Sequence, residues 1–240
     1  MPGMSISKQV KERVGQFEPG TLFGLADFSS IGRTQAVSLE LSRLSRKGRI
    51  VRLTKGQYFV PKASRFGNLG PSDQQILDRL IEENGGYFGG VTALSRAGAT
   101  NQVPAQITIR GARSTRKLKI GNLLVQFLSQ GNQAASNMPS SLTDILEVLR
   151  LVKRTPNANP DDSVARTAVL IKSLSHQDVE RLVDLSKHER PYVRAILGAI
   201  LEGINPLRAH ELKDTLNPIS KFKIGIGEKT LPNKGRWNIL

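Results

Sequence analysis

The chain has 240 residues, 38% of them hydrophobic, and carries 35 Lys and Arg against 20 Asp and Glu, a net charge of +15. That length allows one large or two to three small domains with ordinary cores, and the absence of cysteine excludes disulfides, thiolate nucleophiles and sulfur-ligated zinc. No run approaches the roughly 18 apolar residues of a membrane span and the N-terminus has no apolar signal core, so a cytoplasmic chain with no membrane partner is expected.

The first helix is expected at about 5–16, followed by a short extended piece around Thr21–Phe23 and a small helix over Asp27–Ile31. Gly32 separates these from a strong helix over Thr34–Lys47. On it Val37, Leu41 and Leu44 share one face at helical spacing, while Gln35, Leu39, Ser42 and Arg46 point the other way, flanked by Ser38 and Arg43. Gly48 supplies the left-handed residue that ends many helices. After it, RIVRL and QYFVP read as strands, and the glycine of TKG suits the tight turn between them. Residues 1–62 hold 11 basic and 4 acidic side chains, a net of +7.

ASRFGNLG at 63–70 has the composition of a linker. Ser72 and Gln75 form a capping box that opens a helix to about Asn84. GGYFGG reads as a turn-rich break before a short helix over Val91–Ala97, and QITIRG, RKLKIG and LLVQFL read as three strands. Residues 84–143 contain six basic side chains and no acid, and 130–140 is a second polar linker. Helices are expected at about 141–153, 161–174, 176–187, 191–204 and 207–215, without a solenoid period. KFKIGIG and GRWNIL suggest a terminal β-hairpin. The fold class is therefore α+β, in three parts: a winged helix-turn-helix at 1–62, a small mixed α/β basic domain at 70–130, and a mainly helical region at 140–240 with a β tail.

A helix-turn-helix places its second helix in the DNA major groove, and a following hairpin, the wing, carries cations to the backbone. On that reading Arg33 and Thr34 stand at the helix entrance. Gln35, Ser38, Leu39, Ser42, Arg43 and Arg46 face the duplex, and Arg52 and Lys55 lie on the wing. Leu39 matters because an outward apolar side chain needs a cover, and a thymine methyl is one. The plainer reading is that these charges solvate an exposed helix. Arg110, Arg113, Arg116, Lys117 and Lys119 form a second basic block, read either as an auxiliary nucleic-acid surface or as an edge strand whose cations resist aggregation.

The stretches ADFSSIGRTQAVSLELSRLSRKGRIVRLTKGQYFVP, ALSRAGATNQVP and ITIRGARSTRKLKIGN resemble the AbiEi-type family of antitoxins and transcriptional regulators, over roughly residues 15–130. The resemblance implies a winged helix that binds an operator of inverted repeats in its own promoter, and a downstream region that counteracts a nucleotidyltransferase-like toxin. It places DNA contacts on Gln35, Ser38, Ser42, Arg43, Arg46, Arg52 and Lys55. Glu40 departs from the small residue expected there, and its carboxylate would repel phosphate unless Arg43 or Lys47 pairs with it. A winged-helix regulator without a toxin, and an RNA-binding accessory protein using 84–130, are the alternatives.

Catalysis is not expected. His176, His188 and His210 have no metal-ligand spacing, GEKT at 227–230 lacks the glycines of a phosphate loop, and Asp161 with Asp162 reads as a helix start. No cofactor and no metal are implied.

Overall fold

In the computed structural model the Ser5 hydroxyl accepts the Lys8 amide and opens α1 (Ile6–Gly15). The structure describes residues 4–65, 67–129, 131, 135–136 and 138–240. After α1 come β1 (Leu22–Gly24) and a 3-10 turn over Leu25–Phe28, slightly earlier than the small helix expected at Asp27–Ile31. Then follow α2 (Thr34–Arg46), β2 (Val51–Thr54) and β3 (Gln57–Phe59). Gly48, at φ +70°, turns the chain out of α2, and its open left-handed conformation is one that a β-branched residue would resist. Lys55 and Gly56 form the two-residue turn between β2 and β3, with Gly56 at φ +81°. The sheet runs β1-β3-β2, both pairings antiparallel, with a register irregularity between Arg52 and Thr54.

The inward positions of α2 fix its orientation. Val37, Leu41 and Leu44 are buried with Val10, Phe23, Phe28, Ile50 and Tyr58 in one apolar cluster. Phe23 is its centre, stacked on Phe17 at 4.8 Å and edge-on to Phe28 at 5.8 Å.

The expected linker at 63–70 is instead mostly a hairpin: β4 (Lys62–Ser64) pairs antiparallel with β5 (Gly67–Leu69). Both stretches are too short and too polar to show a strand period, so only their mutual hydrogen bonding reveals them. Then α3 (Asp73–Asn84) starts on the expected Ser72–Gln75 box, with the Gln75 carboxamide oxygen accepting the Ser72 amide at 2.8 Å.

The chain divides into two compact units, residues 1–83 with 119–123, and 84–118 with 124–240. Nearly all of α3 thus belongs with the first unit, although the sequence grouped it with a middle domain. Arg79 is the reason: its guanidinium pairs with Asp27 of the 3-10 turn and with Glu83.

GGYFGG is not a simple break. Tyr87–Phe88 form β6, followed by α4 (Gly90–Arg96), β7 (Ile107–Arg110), β8 (Arg116–Ile120) and β9 (Leu123–Leu128). The sheet order is β6-β7-β9-β8, with β6 antiparallel and β9 parallel to β7. The polar linker expected at 130–140 lies partly outside the described residues.

Five helices follow: α5 (Ser140–Arg150), α6 (Pro160–Lys172), α7 (His176–Ser186), α8 (Pro191–Leu201) and α9 (Pro206–Asp214). Each lies within a few residues of expectation, and Ser175 caps α7 by accepting the Asp178 amide. Leu142–Leu149 of α5 and Ala195–Leu201 of α8 are buried throughout, so these two helices run through the core rather than along its surface.

The terminal β-hairpin is not formed. A single parallel bridge joins Phe222 to Ile239, and a 3-10 turn covers Lys234–Trp237. Side chains meet the backbone groups a partner strand would have met: Lys153 donates to the Lys223 carbonyl at 2.9 Å, Asp161 accepts the Gly227 amide at 2.9 Å, and Lys234 donates to the Ile226 carbonyl at 2.8 Å. The fold is α+β, and among the described residues no helix is long and apolar enough to cross a membrane.

Candidate nucleic-acid interface

With one face of α2 sealed in the core, the other is open. Arg33, Thr34, Gln35, Leu39, Arg43 and Arg46 are exposed, while Ser38 and Ser42 are half-buried beside them. Leu39 is 55% exposed, a bare apolar side chain amid polar ones. Arg52 and Lys55 are exposed on the hairpin that follows. Among the described residues, no carboxylate pairs with Arg33, Arg46, Arg52 or Lys55.

Glu40 is the one acid on α2, and it is turned inward at 6% exposure. Its carboxylate lies 3.7 Å from the Lys11 ammonium of α1 and accepts from Arg43 at 3.4 Å. The pairing with Arg43 meets the condition set by the sequence, and Lys11 is a partner the sequence did not offer. The outward face of α2 therefore carries no negative charge.

The start of α2 is also electropositive. No side chain caps it and no acid lies in its first turn, so Arg33 stands at the positive end of the helix dipole. A cation there is mildly unfavourable in isolation, and an anion at the same place relieves it.

The second basic block divides. Arg113, Arg116, Lys117 and Lys119 are exposed, and the last three lie on β8, an edge strand of its sheet. Arg116 is held over the Phe127 ring at 4.4 Å and donates to Asn84. Arg110 does not share that surface. It is half-buried, with its guanidinium 3.4 Å from the buried Glu147 carboxylate, because β7 lies inside the sheet.

A model of the DUF6088 family, described as a family of unknown function, matches residues 9–166. The chain belongs to this family. No curated protein matches. Among solved structures, the DUF6088 chain is similar to the crystal structure of the RV2827C protein from Mycobacterium tuberculosis, with 14% identity over 90% of this chain and 83% of that one and a TM-score of 0.44.

The DUF6088 match runs into the second unit, where sequence reading missed a chain of buried charges. Glu147, 1% exposed, accepts from Arg150 and from the Gly90 amide at 2.9 Å. Arg150 also pairs with Glu189 and donates to the Tyr87 hydroxyl at 2.8 Å. Burial alone would lower the Arg150 pKa, but its hydrogen bond to Glu189 and the charges of Glu147 and Glu189 outweigh it and hold the guanidinium charged. No local motif announces this set, since its members come from β6, β7, α4, α5 and the residues just before α8.

Asp144 is its titratable member. Burial pushes its carboxyl up to about 7, against the Arg96 guanidinium that hydrogen-bonds it at 3.2 Å, and Glu147 adds to the rise. Between about pH 4 and pH 7 the folded chain thus holds a proton that the unfolded chain has released. Stability should fall as pH rises through that window, by on the order of 4 kcal/mol, and level off above it. Urea midpoints for the wild type and Asp144→Asn at pH 5 and pH 8 test this. The variant should lose that part of the slope, and an unchanged slope would mean Asp144 stays ionised throughout.

Proposed function

We propose that the chain is a duplex-DNA-binding regulator whose first unit acts as a winged helix. In this reading α2 is the recognition helix and the Lys55–Gly56 turn is the tip of the wing. What carries the proposal is the withdrawal of Glu40: the one carboxylate of α2 is drawn into the core, leaving an outward face of Gln35, Leu39, Arg43 and Arg46 beside the basic turn. A surface that only needed to stay soluble would mix both signs. Arg46 and Arg43 suit guanine edges or phosphates, and Leu39 suits a thymine methyl. Arg33 and the open amides at the start of α2 suit a phosphate.

The test is a mobility-shift titration of the full chain with its promoter fragment and with random duplex. Arg43→Ala with Arg46→Ala should weaken promoter binding by about 1–3 kcal/mol for each arginine that pairs bidentately with a base. Arg43 also serves Glu40, so Arg46→Ala alone is the cleaner variant, and its melting temperature should match wild type. Lys55→Ala should weaken all sequences alike and reduce the salt slope by about one. Unaltered promoter binding by the double variant would remove α2 from the interface.

The resemblance to AbiEi-type proteins extends the proposal to an antitoxin that represses its own operon and counteracts a nucleotidyltransferase-type toxin. Co-expressing the chain with the neighbouring gene product in a growth assay decides that part. A harmless neighbour leaves a plain regulator.

A further inference from the structure

The second unit contains a cleft of about 920 Å³ to which the basic blocks of the sequence contribute only Arg110. Three stretches far apart in the chain enclose it: the end of α5 and the turn after it, the residues leading into α8, and the extended segment at 221–224. Each brings cations. Lys153 and Arg154 come from the first stretch, Arg190 from the second, and Lys221 and Lys223 from the third, all of them exposed. The two acids lining the cleft, Glu147 and Glu189, are both buried or half-buried and already paired with Arg150. Among the described residues no carboxylate pairs with the five rim cations.

The dipole of α5 accounts for two of them, because cations at a helix C-terminus are favourable. It does not account for Arg190. That residue is the N-cap of α8, with no side-chain cap and no acid in the first turn, so its charge stands at the positive end of the helix. Lys221 and Lys223 are fixed rather than loosely arrayed, because Phe222 between them donates its amide to the Asn238 carbonyl and accepts from the Leu240 amide. Arg190 at an uncapped helix start, in a cleft lined by four more cations, is unfavourable until an anion occupies the cleft.

We infer that this cleft binds single-stranded nucleic acid, with its phosphodiester backbone over Lys153, Arg154, Arg190, Lys221 and Lys223. Tyr192 and Phe222, half-buried and packed against the core, also line the cleft, and in this reading a base stacks on the part of them left exposed. Three of the five cations are lysines, point charges that suit a repeating phosphate without demanding the forked geometry of a carboxylate partner. The inference is independent of duplex binding by α2.

Fluorescence anisotropy of the full chain with labelled oligo-U and oligo-dT of about 12 nucleotides, a length such grooves accommodate, provides the test. Arg154→Glu with Lys223→Glu should weaken strand binding at least about tenfold, whereas Arg43→Ala with Arg46→Ala should leave it unchanged. Whichever strand binds more tightly identifies the source as RNA or DNA. Arg190→Asp gives an independent sign. It installs a capping carboxylate and should raise the melting temperature by about 2–4 °C while weakening the strand. Strand affinity unchanged in both cleft variants overturns the inference. So does loss confined to the α2 variant, or equal affinity for an acidic peptide or a mononucleotide.

Discussion

Replacing Glu147 with alanine should destabilise the chain by about 3–5 kcal/mol, as removal of one partner of a buried ion pair does. Three donors converge on this carboxylate. Arg150 keeps Glu189 as a partner, so its loss is partial. The Gly90 amide loses its acceptor at 2.9 Å, and Arg110, whose Nε already lacks a hydrogen bond, loses the one carboxylate that pairs with it among the described residues. Glu147→Gln should cost less, because the amide oxygen still accepts from Gly90. Both variants also change the cleft in the same direction. Either one removes a negative charge from its floor, so strand affinity should rise in Glu147→Gln even as stability falls. Urea denaturation of both variants beside wild type is the measurement. A loss under about 1 kcal/mol for the alanine variant would show that water already satisfies these donors.

What the sequence makes legible is what is local. The bounds of α2, the turn at Gly48 and the Lys55–Gly56 hairpin depend on residue period and on glycines within a few positions, and the structure places them as read. The same holds for the Ser72 and Ser175 caps. The failures are non-local. Residues 62–64 and 67–69 pair with each other without any alternation to announce it, and the tail at 221–240 has strand-like composition but its backbone is met by the side chains of Lys153, Asp161 and its own Lys234.

Charge counting failed in the same way. Residues 144–215 balance at 11 basic against 11 acidic side chains, which hides the cleft because a count does not say which acids are already paired. Arg110 shows the converse. It belonged to the acid-free basic block of the sequence, yet it faces a buried carboxylate contributed by α5, 37 residues later in the chain.

Gly198→Ala should destabilise the second unit by about 2–4 kcal/mol, although alanine is the better helix former by about 1 kcal/mol. Two effects oppose, and packing wins. Gly198 lies inside α8, and a methyl there would overlap Cζ3 and Cη2 of Trp237, which is only 2% exposed. Displacing so large a buried ring costs about 3–5 kcal/mol by the usual scale for aromatic loss, well above the helix gain. The ring has little freedom to adjust, since its indole N–H donates to Glu202 at 3.0 Å and its neighbour Arg236 pairs with the same carboxylate at 3.1 Å. Asn233 ties the same turn to the Ala199 carbonyl at 2.9 Å. The effect should reach function, because Trp237 anchors the tail whose residues 238–240 hold Phe222 in place between Lys221 and Lys223. Strand binding in the cleft should therefore weaken with the loss of stability, while promoter binding through α2 persists. Thermal melting and both binding titrations on this one variant test the linkage from α8 through Trp237 to the cleft. A Gly198→Ala protein melting at or above wild type would mean that α8 and Trp237 do not meet at this glycine.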